Sequence, residues 1–517
     1  MTDQVERRSK ALTSSGDLRG RLAGFPGTGI NTVAEADEVQ AYLDCMVSDG
    51  EWIYDPSGQL QAPLSVHKQS AIFNSCDKHY YKSRQPIATP DDGSWDVRES
   101  LKWVWSPSER CERLEPRKIV GERQLTDQRS RYRLCELLAH KSTVLVGDLT
   151  HYELHDLLLD HALTTPASCY GPLYCSEHLL CADILKHKVD DTKTDERVYE
   201  RLPRPVIAPA GMTDEEYDLA GDEGLQKRAD SRSAAHGTLL RFARADGMRF
   251  AGGQTVSSYV HPYTGIREPN HRWLNDAHRS DVVVLTKPPI SMPVPGKNKK
   301  WDQWWKSQSD TDRRAKLVQA ARKVTEEVWL PELFETLKAV RAPPAPADQL
   351  VIYRSRWLAQ PDCGSSTARS ASITVASPGD GPPIHASAPT LSFMLDADEH
   401  SAFYNIQATI QNHLMRTIAP HFGIVFFDFE TILSIWRSGM VGSAESENWS
   451  SNSRFVDQNA KKGLRSPASG DCHRYCLPNP ALEEAWLGAL QRLFELGWAG
   501  REGWTGADFF TVRQRNG

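Results

Sequence analysis

The chain of 517 residues has no CxxC pair, and its ten cysteines are too sparse for a disulfide-dense scaffold or a zinc ribbon. It also has no apolar run approaching the ~18 residues of a membrane span. The opening "MTDQVERRSKALTSSGDLRG" lacks the apolar core of a signal peptide, so as written the sequence points to the cytoplasm. Nor is there an excess of one charge: the net charge of −6 is small for this length, with both signs interspersed. A basic surface for nucleic acid and an acidic disordered tail are therefore not expected. The glycines of "GFPGTG" follow no strand pattern, so they do not form a phosphate loop, and residues 1–40 read as a flexible lead-in.

What is present is an alternation. "TVLVGDL" (143–149), "DVVVLT" (281–286), "LVIYRS" (350–355) and "GIVFFDF" (423–429) have the length and β-branched content of buried strands. Helical patterns separate them: "YELHDLLLDHAL", "RRAKLVQAARKVTEEVWLPELFETLKAV", "SAFYNIQATIQNHLMRTI" and "NPALEEAWLGALQRLFELG". This order predicts an α/β fold with a parallel sheet covered by helices on both faces. Asp148, Thr286, Arg354 and Asp428 then fall at the carboxyl ends of the strands, where such sheets bind ligands. Charged and low-complexity stretches at 186–235 and 364–390 read as surface insertions.

Several blocks, in order, resemble those of one family. "DGEWIYDPSG" (49–58), Cys76 and "LKWVWSPSERCERL" (101–114) are similar to the Gly-x-Trp-x-x-Asp, Cys and Trp-x-Trp landmarks of trichome-birefringence-like proteins. "VLVGDL" resembles their Gly-Asp-Ser block, and "DCHRYCLPNPALEEAW" (471–486) their C-terminal Asp-Cys-x-His-x-Cys-Leu-Pro block. Fungal capsule O-acetylation proteins share this PC-esterase domain, one of the SGNH acyl-esterases and acyltransferases. The resemblance implies a three-layer SGNH-hydrolase-like (flavodoxin-like) domain over 126–517, preceded by a Cys/Trp-rich N-terminal extension over 41–125. It implies a polysaccharide O-acetyltransferase or acyl-esterase acting on cell-wall or capsule glycans, with no bound cofactor and an acetyl donor as co-substrate. It also implies a place in the secretory pathway or Golgi lumen. There Cys472 and Cys476 would be disulfide-bonded, with Cys363 and Cys45, Cys76 or Cys111 as candidate partners.

The reactive positions depart from the pattern. Acyl transfer needs a hydroxyl nucleophile, a histidine base and a carboxylate that orients it. Gly147 and Asp148 match the family turn, but its serine position is Leu149 and its histidine position is Arg474, while Asp471 is kept. The block after "DVVVLT" reads Thr286-Lys287-Pro288 instead of Asn followed by Gly, and Arg354-Ser355 matches the family's Arg-Ser/Thr. A register shift of one residue would make Thr150, His473 and Asp471 a triad. Against this, "THYE" (150–153) is a capping-box pattern, which would commit the Thr150 hydroxyl to a first-turn N–H and send Glu153 back to the cap.

Three further groups have two readings. His151 and His155 read as packing or solvent-edge residues. Trp301, Trp304 and Trp305 have the spacing of a sugar platform or of a helix burying one face. Cys175, His178 and Cys181 could reach a metal but read better as buried structural thiols, and no metal is expected. The functions in view are therefore an impaired O-acetyltransferase or esterase relative, an esterase with a shifted triad, and a non-catalytic glycan-binding or scaffold protein. In the last, Trp103, Trp105, Arg354 and Asp471 would keep the groove, which Thr286 also lines, for a glycan or an acylated small molecule.

Overall fold

Side chains along the buried strands alternate between two separate hydrophobic clusters. Leu145, Val284, Ile352 and Val425 enter one, while Val144, Val283, Val351 and Phe426 enter the other. Period-two alternation in runs apolar on both sides requires cover on both faces, and helices supply it. The computed structural model describes residues 7, 24–54, 103–116, 134–135, 137–138, 141–162, 177–181, 238–251, 254–255, 258–271, 273–308, 312–359, 384–385, 399–434, 473–475, 477 and 479–498.

The strands are β1 (Gly50–Tyr54), β2 (Trp103–Pro107), β3 (Ser142–Gly147), β4 (Glu177–Leu180) and β5 (Thr238–Arg244), then the short β6 (Phe250–Ala251), β7 (Gln254–Thr255), β8 (Ser258–Val260) and β9 (Arg267–Pro269). β10 (Val282–Leu285), β11 (Leu350–Arg354), β12 (Ile384–His385) and β13 (Ile424–Phe427) complete them. The principal helices are α1 (Val33–Ser48), α2 (Glu109–Arg113), α3 (Leu149–Ala162), α4 (Trp273–His278), α5 (Lys299–Ser307), α6 (Arg313–Val324), α7 (Leu330–Arg341), α8 (Glu399–Ile418), α9 (Glu430–Ser434) and α10 (Ala489–Trp498).

Six strands form the main sheet in the order β13-β11-β10-β3-β5-β4, parallel except for β4 against β5. Numbered along the chain, its five parallel strands run 2-1-3-4-5, a doubly wound order whose direction reverses at β3. The carboxyl end of β3 is therefore where a crevice belongs. Tyr42, Leu157 and Leu493, from α1, α3 and α10, cover one face, and Trp273, Leu317, Leu333 and Ile406, from α4, α6, α7 and α8, cover the other. Among the described residues no helix is long and apolar enough to cross a membrane.

The expected lead-in is instead packed from Gly24 onward. Phe25 and Ile30 are buried, Gly29 N–H donates to Gly497 O at 2.6 Å, and Thr32 caps α1 in a reciprocal box with Glu35. The "GFPGTG" glycines permit this docking: a Cβ on Gly29 would lie 2.1 Å from the Gly497 carbonyl oxygen.

β1, β2 and β12 make a second, antiparallel sheet in which Trp52 is paired with Trp105, their rings 5.3 Å apart. Trp103 and Trp105 alternate inward as expected of a strand, and the Trp105 indole N–H donates to Met46 O at 2.8 Å. A disulfide joins Cys45 to Cys111, which corrects their expected pairing with the C-terminal cysteines: α1 and α2 lie together, with Cα atoms 5.4 Å apart. Cys181 is likewise bonded to Cys135 and is not a free thiol. Cys76, Cys169, Cys175, Cys363, Cys472 and Cys476 lie outside the described residues, as do the stretch 186–235 and most of 364–390.

Candidate functional site

β3 ends in Gly147, and α3 starts two residues later at Leu149. Gly147 is required by contact, since a Cβ there would lie 2.6 Å from the Thr286 methyl and 2.9 Å from His151 Cβ. Both neighbours are fully buried, so neither can move aside cheaply. Gly147→Ala is expected to cost about 1–3 kcal/mol, read as a lower urea midpoint at unchanged m-value.

The residue between them caps the helix. Asp148 Oδ1 accepts N–H bonds from Thr150 at 3.1 Å and His151 at 3.3 Å. This corrects the capping-box reading of "THYE". A carboxylate standing directly before the first helical residue outcompetes a hydroxyl one position inside the helix. Glu153 does not reach back either: its carboxylate accepts the Tyr475 N–H at 3.1 and 3.3 Å, tying the C-terminal segment to α3.

The Thr150 hydroxyl is fully committed. It donates to Asp148 Oδ1 at 2.7 Å and accepts from Arg354 at 2.7 Å and Arg356 at 3.1 Å. One proton and two lone pairs are all a hydroxyl has. None of these partners is a histidine, so the Thr150–His473 bond that a shifted triad would need is not formed. The side chain at the family's serine position, Leu149, lies on the surface of the turn at 36% exposure.

Two arginines two residues apart organise the rest. Arg356 forks onto both Asp148 oxygens, with NH1 3.0 Å from Oδ1 and NH2 on Oδ2, and its Nε donates to the Tyr404 hydroxyl at 3.1 Å. Burial pushes the Asp148 carboxyl up, but Arg356, with Arg354 and the Thr150 hydroxyl, outweighs it and holds the group well below the usual carboxylate range. Asp148 is thus a fixed anion and a poor base. Asn412 clamps the Arg356 backbone by accepting its N–H at 2.8 Å and donating to its carbonyl at 2.7 Å.

Arg354 is completely buried, with its guanidinium 4.3 Å above the Trp357 ring. Its Nε donates to His151 Nδ1 at 3.1 Å, while His151 Nε2 lies 3.1 Å from Val284 O. The histidine is therefore neutral with its proton on Nε2, and burial followed by Arg354 holds its pKa well below the ordinary value. It is neither a solvent-edge group nor an available base. His155 is buried too, its ring stacked 5.1 Å from Tyr152, which matches the packing reading.

His473 reaches the site by another route. Its ring meets Tyr404 edge-to-face at 4.7 Å, and its carbonyl accepts the Trp357 indole N–H at 2.7 Å. Asp471 lies outside the described residues. Asp428 does not join this group: it pairs with Arg416 and accepts the Glu430 N–H at 3.0 Å. Trp103 and Trp105 belong to the second sheet. The structure thus brings together Gly147, Asp148, Leu149, Thr150, Thr286, Arg354 and His473 from the expected set. It adds His151, Arg356, Tyr404 and Asn412. The signal for Arg356 lies in "RSR", since a strand direction continued past Arg354 sends residues 354 and 356 to one side.

A ligand-type grouping among the described residues, Cys45, Asp49 and Cys111, has its two sulfurs bonded to each other. In chemical terms the site is a buried Asp–Thr–Arg–Arg cluster of one carboxylate and two guanidiniums, with Tyr404 against Arg356 and His473 against Tyr404. No protein-family model matches the chain, and neither does any curated protein or solved structure.

Proposed function

We propose that the chain is a divergent PC-esterase-type protein of the SGNH group, with a three-layer core, that holds a glycan or acylated small molecule in its crevice without transferring an acyl group. The carrying observation is the saturated Thr150 hydroxyl, whose proton is held by a carboxylate that the two arginines keep ionised. The 2-1-3-4-5 strand order, with Gly147-Asp148 at its reversal, supports the family reading. Two disulfides support a history in the secretory lumen.

The test is hydrolysis of p-nitrophenyl acetate by wild type, Thr150→Ala, His473→Ala and the double variant Leu149→Ser/Arg474→His. Equal background rates are expected for the first three. The double variant restores the family's residue types at both positions and is expected to exceed them. A fall of ~100-fold or more in Thr150→Ala, with the fold intact by circular dichroism, would establish a shifted triad and defeat the proposal. Binding of acetylated xylan by the inactive wild type, weakened by Tyr404→Ala, is the matching positive result.

A further inference from the structure

The three tryptophans of α5 do not offer a sugar platform. Trp301 is buried, and it stacks on Trp305 at 5.7 Å while the Lys316 ammonium sits 4.3 Å from the Trp305 ring centre. Trp304 packs on Trp301 at 5.2 Å and carries Lys323 at 5.7 Å. These contacts occupy the indoles and turn the opposite side of the helix outward.

That outward side is basic. Lys299, Gln303 and Lys306 are exposed at i, i+4 and i+7, which sets the two lysines about 10.5 Å apart along the axis. Lys300 and Lys297 flank them, also exposed. Asp302, the one acid of α5, receives the Gly296 N–H at 2.9 Å, and no ion pair joins any of these four lysines to a described carboxylate. The cations of α6 differ: Arg313 pairs with Glu399, Arg322 with Glu326 and Lys323 with Glu327. Lys299 and Lys300 also stand in the first turn, where the helix dipole disfavours cations by about 0.3–1 kcal/mol each. Three unpaired lysines on one short helix and a fourth just before its cap, in a chain of net charge −6, run against both the local and the global charge balance.

The inner side of α5 packs on α8, where Trp301 meets Phe403 at 6.2 Å and the next residue, Tyr404, contacts His473 and Arg356. We infer that Lys297, just before α5, and Lys299, Lys300 and Lys306 on it bind the carboxylates of an acidic polysaccharide. This rests on the glycan reading above. Duplex nucleic acid, with one charge per ~1.7 Å, asks for a denser cationic surface than a chain of net negative charge presents. An anionic membrane asks for apolar residues on the same face, and Lys299, Gln303 and Lys306 provide none. Spaced ammonium groups with a side-chain amide between them suit widely spaced carboxylates and hydroxyls.

The experiment uses the full chain against immobilised polygalacturonate, with wild type, Lys299→Gln/Lys306→Gln and the charge-matched control Arg313→Gln/Arg322→Gln. Binding that weakens with added salt, and that is roughly tenfold weaker in the lysine variant but not in the control, is expected. Equal weakening in both variants, or in neither, overturns the assignment to α5. Tighter binding to duplex DNA or to phosphatidylserine vesicles, lost in the same lysine variant, overturns the glycan as occupant. If acetylated xylan binds while polygalacturonate does not, the inference fails and the glycan reading stands; if neither binds, both fail.

Discussion

Replacing Arg356 by methionine is expected to destabilise the fold by about 3–5 kcal/mol, because it leaves a buried carboxylate without its main partner. Asp148 would keep the Thr150 hydroxyl and two backbone N–H groups, with Arg354 NH2 3.8 Å away. Tyr404 would lose the guanidinium that its hydroxyl accepts. Removing the charge from the other side tests the attribution. Asp148→Asn added to Arg356→Met should cost less than the sum of the two single changes, since the second substitution relieves the orphaned charge that the first creates. The pH dependence gives an independent check. The Asp148 pKa is lowered by folding, so its contribution to stability is present above the unfolded value, near 4, and is lost as pH falls below it. Urea midpoints of wild type should therefore drop in acid more steeply than those of Arg356→Met. A methionine variant within ~1 kcal/mol of wild type at pH 7 would show that the fork onto Asp148 contributes little.

Strands whose sequence is wholly apolar were legible, because continuous Val/Ile/Leu runs of that length have few other uses. "DVVVLT" gives β10 and "LVIYRS" gives β11, each within a residue or two of its ends. β5 was not, since "TLLRFAR" places Arg241 in mid-strand, where its ion pair to Glu177 of β4 makes burial tolerable. The candidate site was legible as a position and misread as chemistry. Gly147-Asp148 marked the turn, but which of Asp148 and Thr150 caps α3 depends on charges that arrive from β11 and the loop after it. Tyr404 and Asn412, on α8, come to the site only through tertiary packing. Both sit in a helix whose pattern was clear, yet nothing in its period distinguishes a residue that reaches Arg356 from one packed in the apolar core.

Asp44→Asn is expected to stabilise the chain above neutral pH and to flatten its stability between about pH 4 and pH 7. α1 is held to the edge of β13 by one side chain: Gln40 accepts the Phe426 N–H at 2.9 Å and donates to the Phe426 carbonyl at 2.6 Å. The same amide nitrogen donates to Asp44 at 2.8 Å, one helical turn further on. Burial, then the charge of Asp428, pushes the Asp44 carboxyl up to about 7, against the opposing effects of Gln40 and Arg416. The folded chain thus binds a proton over a range in which the unfolded chain has released it. Stability is full below the unfolded pKa and is lost as pH rises toward 7, by up to a few kcal/mol. Asparagine keeps the oxygen that Gln40 needs and cannot ionise, so its variant escapes that loss. Glu430, raised by burial and by Asp428, adds a smaller slope of the same sign that should persist in Asp44→Asn. Urea midpoints at half-unit steps from pH 4.5 to 8 separate the two. If wild type and Asp44→Asn run parallel across that range, Asp44 is ionised throughout, and the contact between α1 and β13 carries no proton.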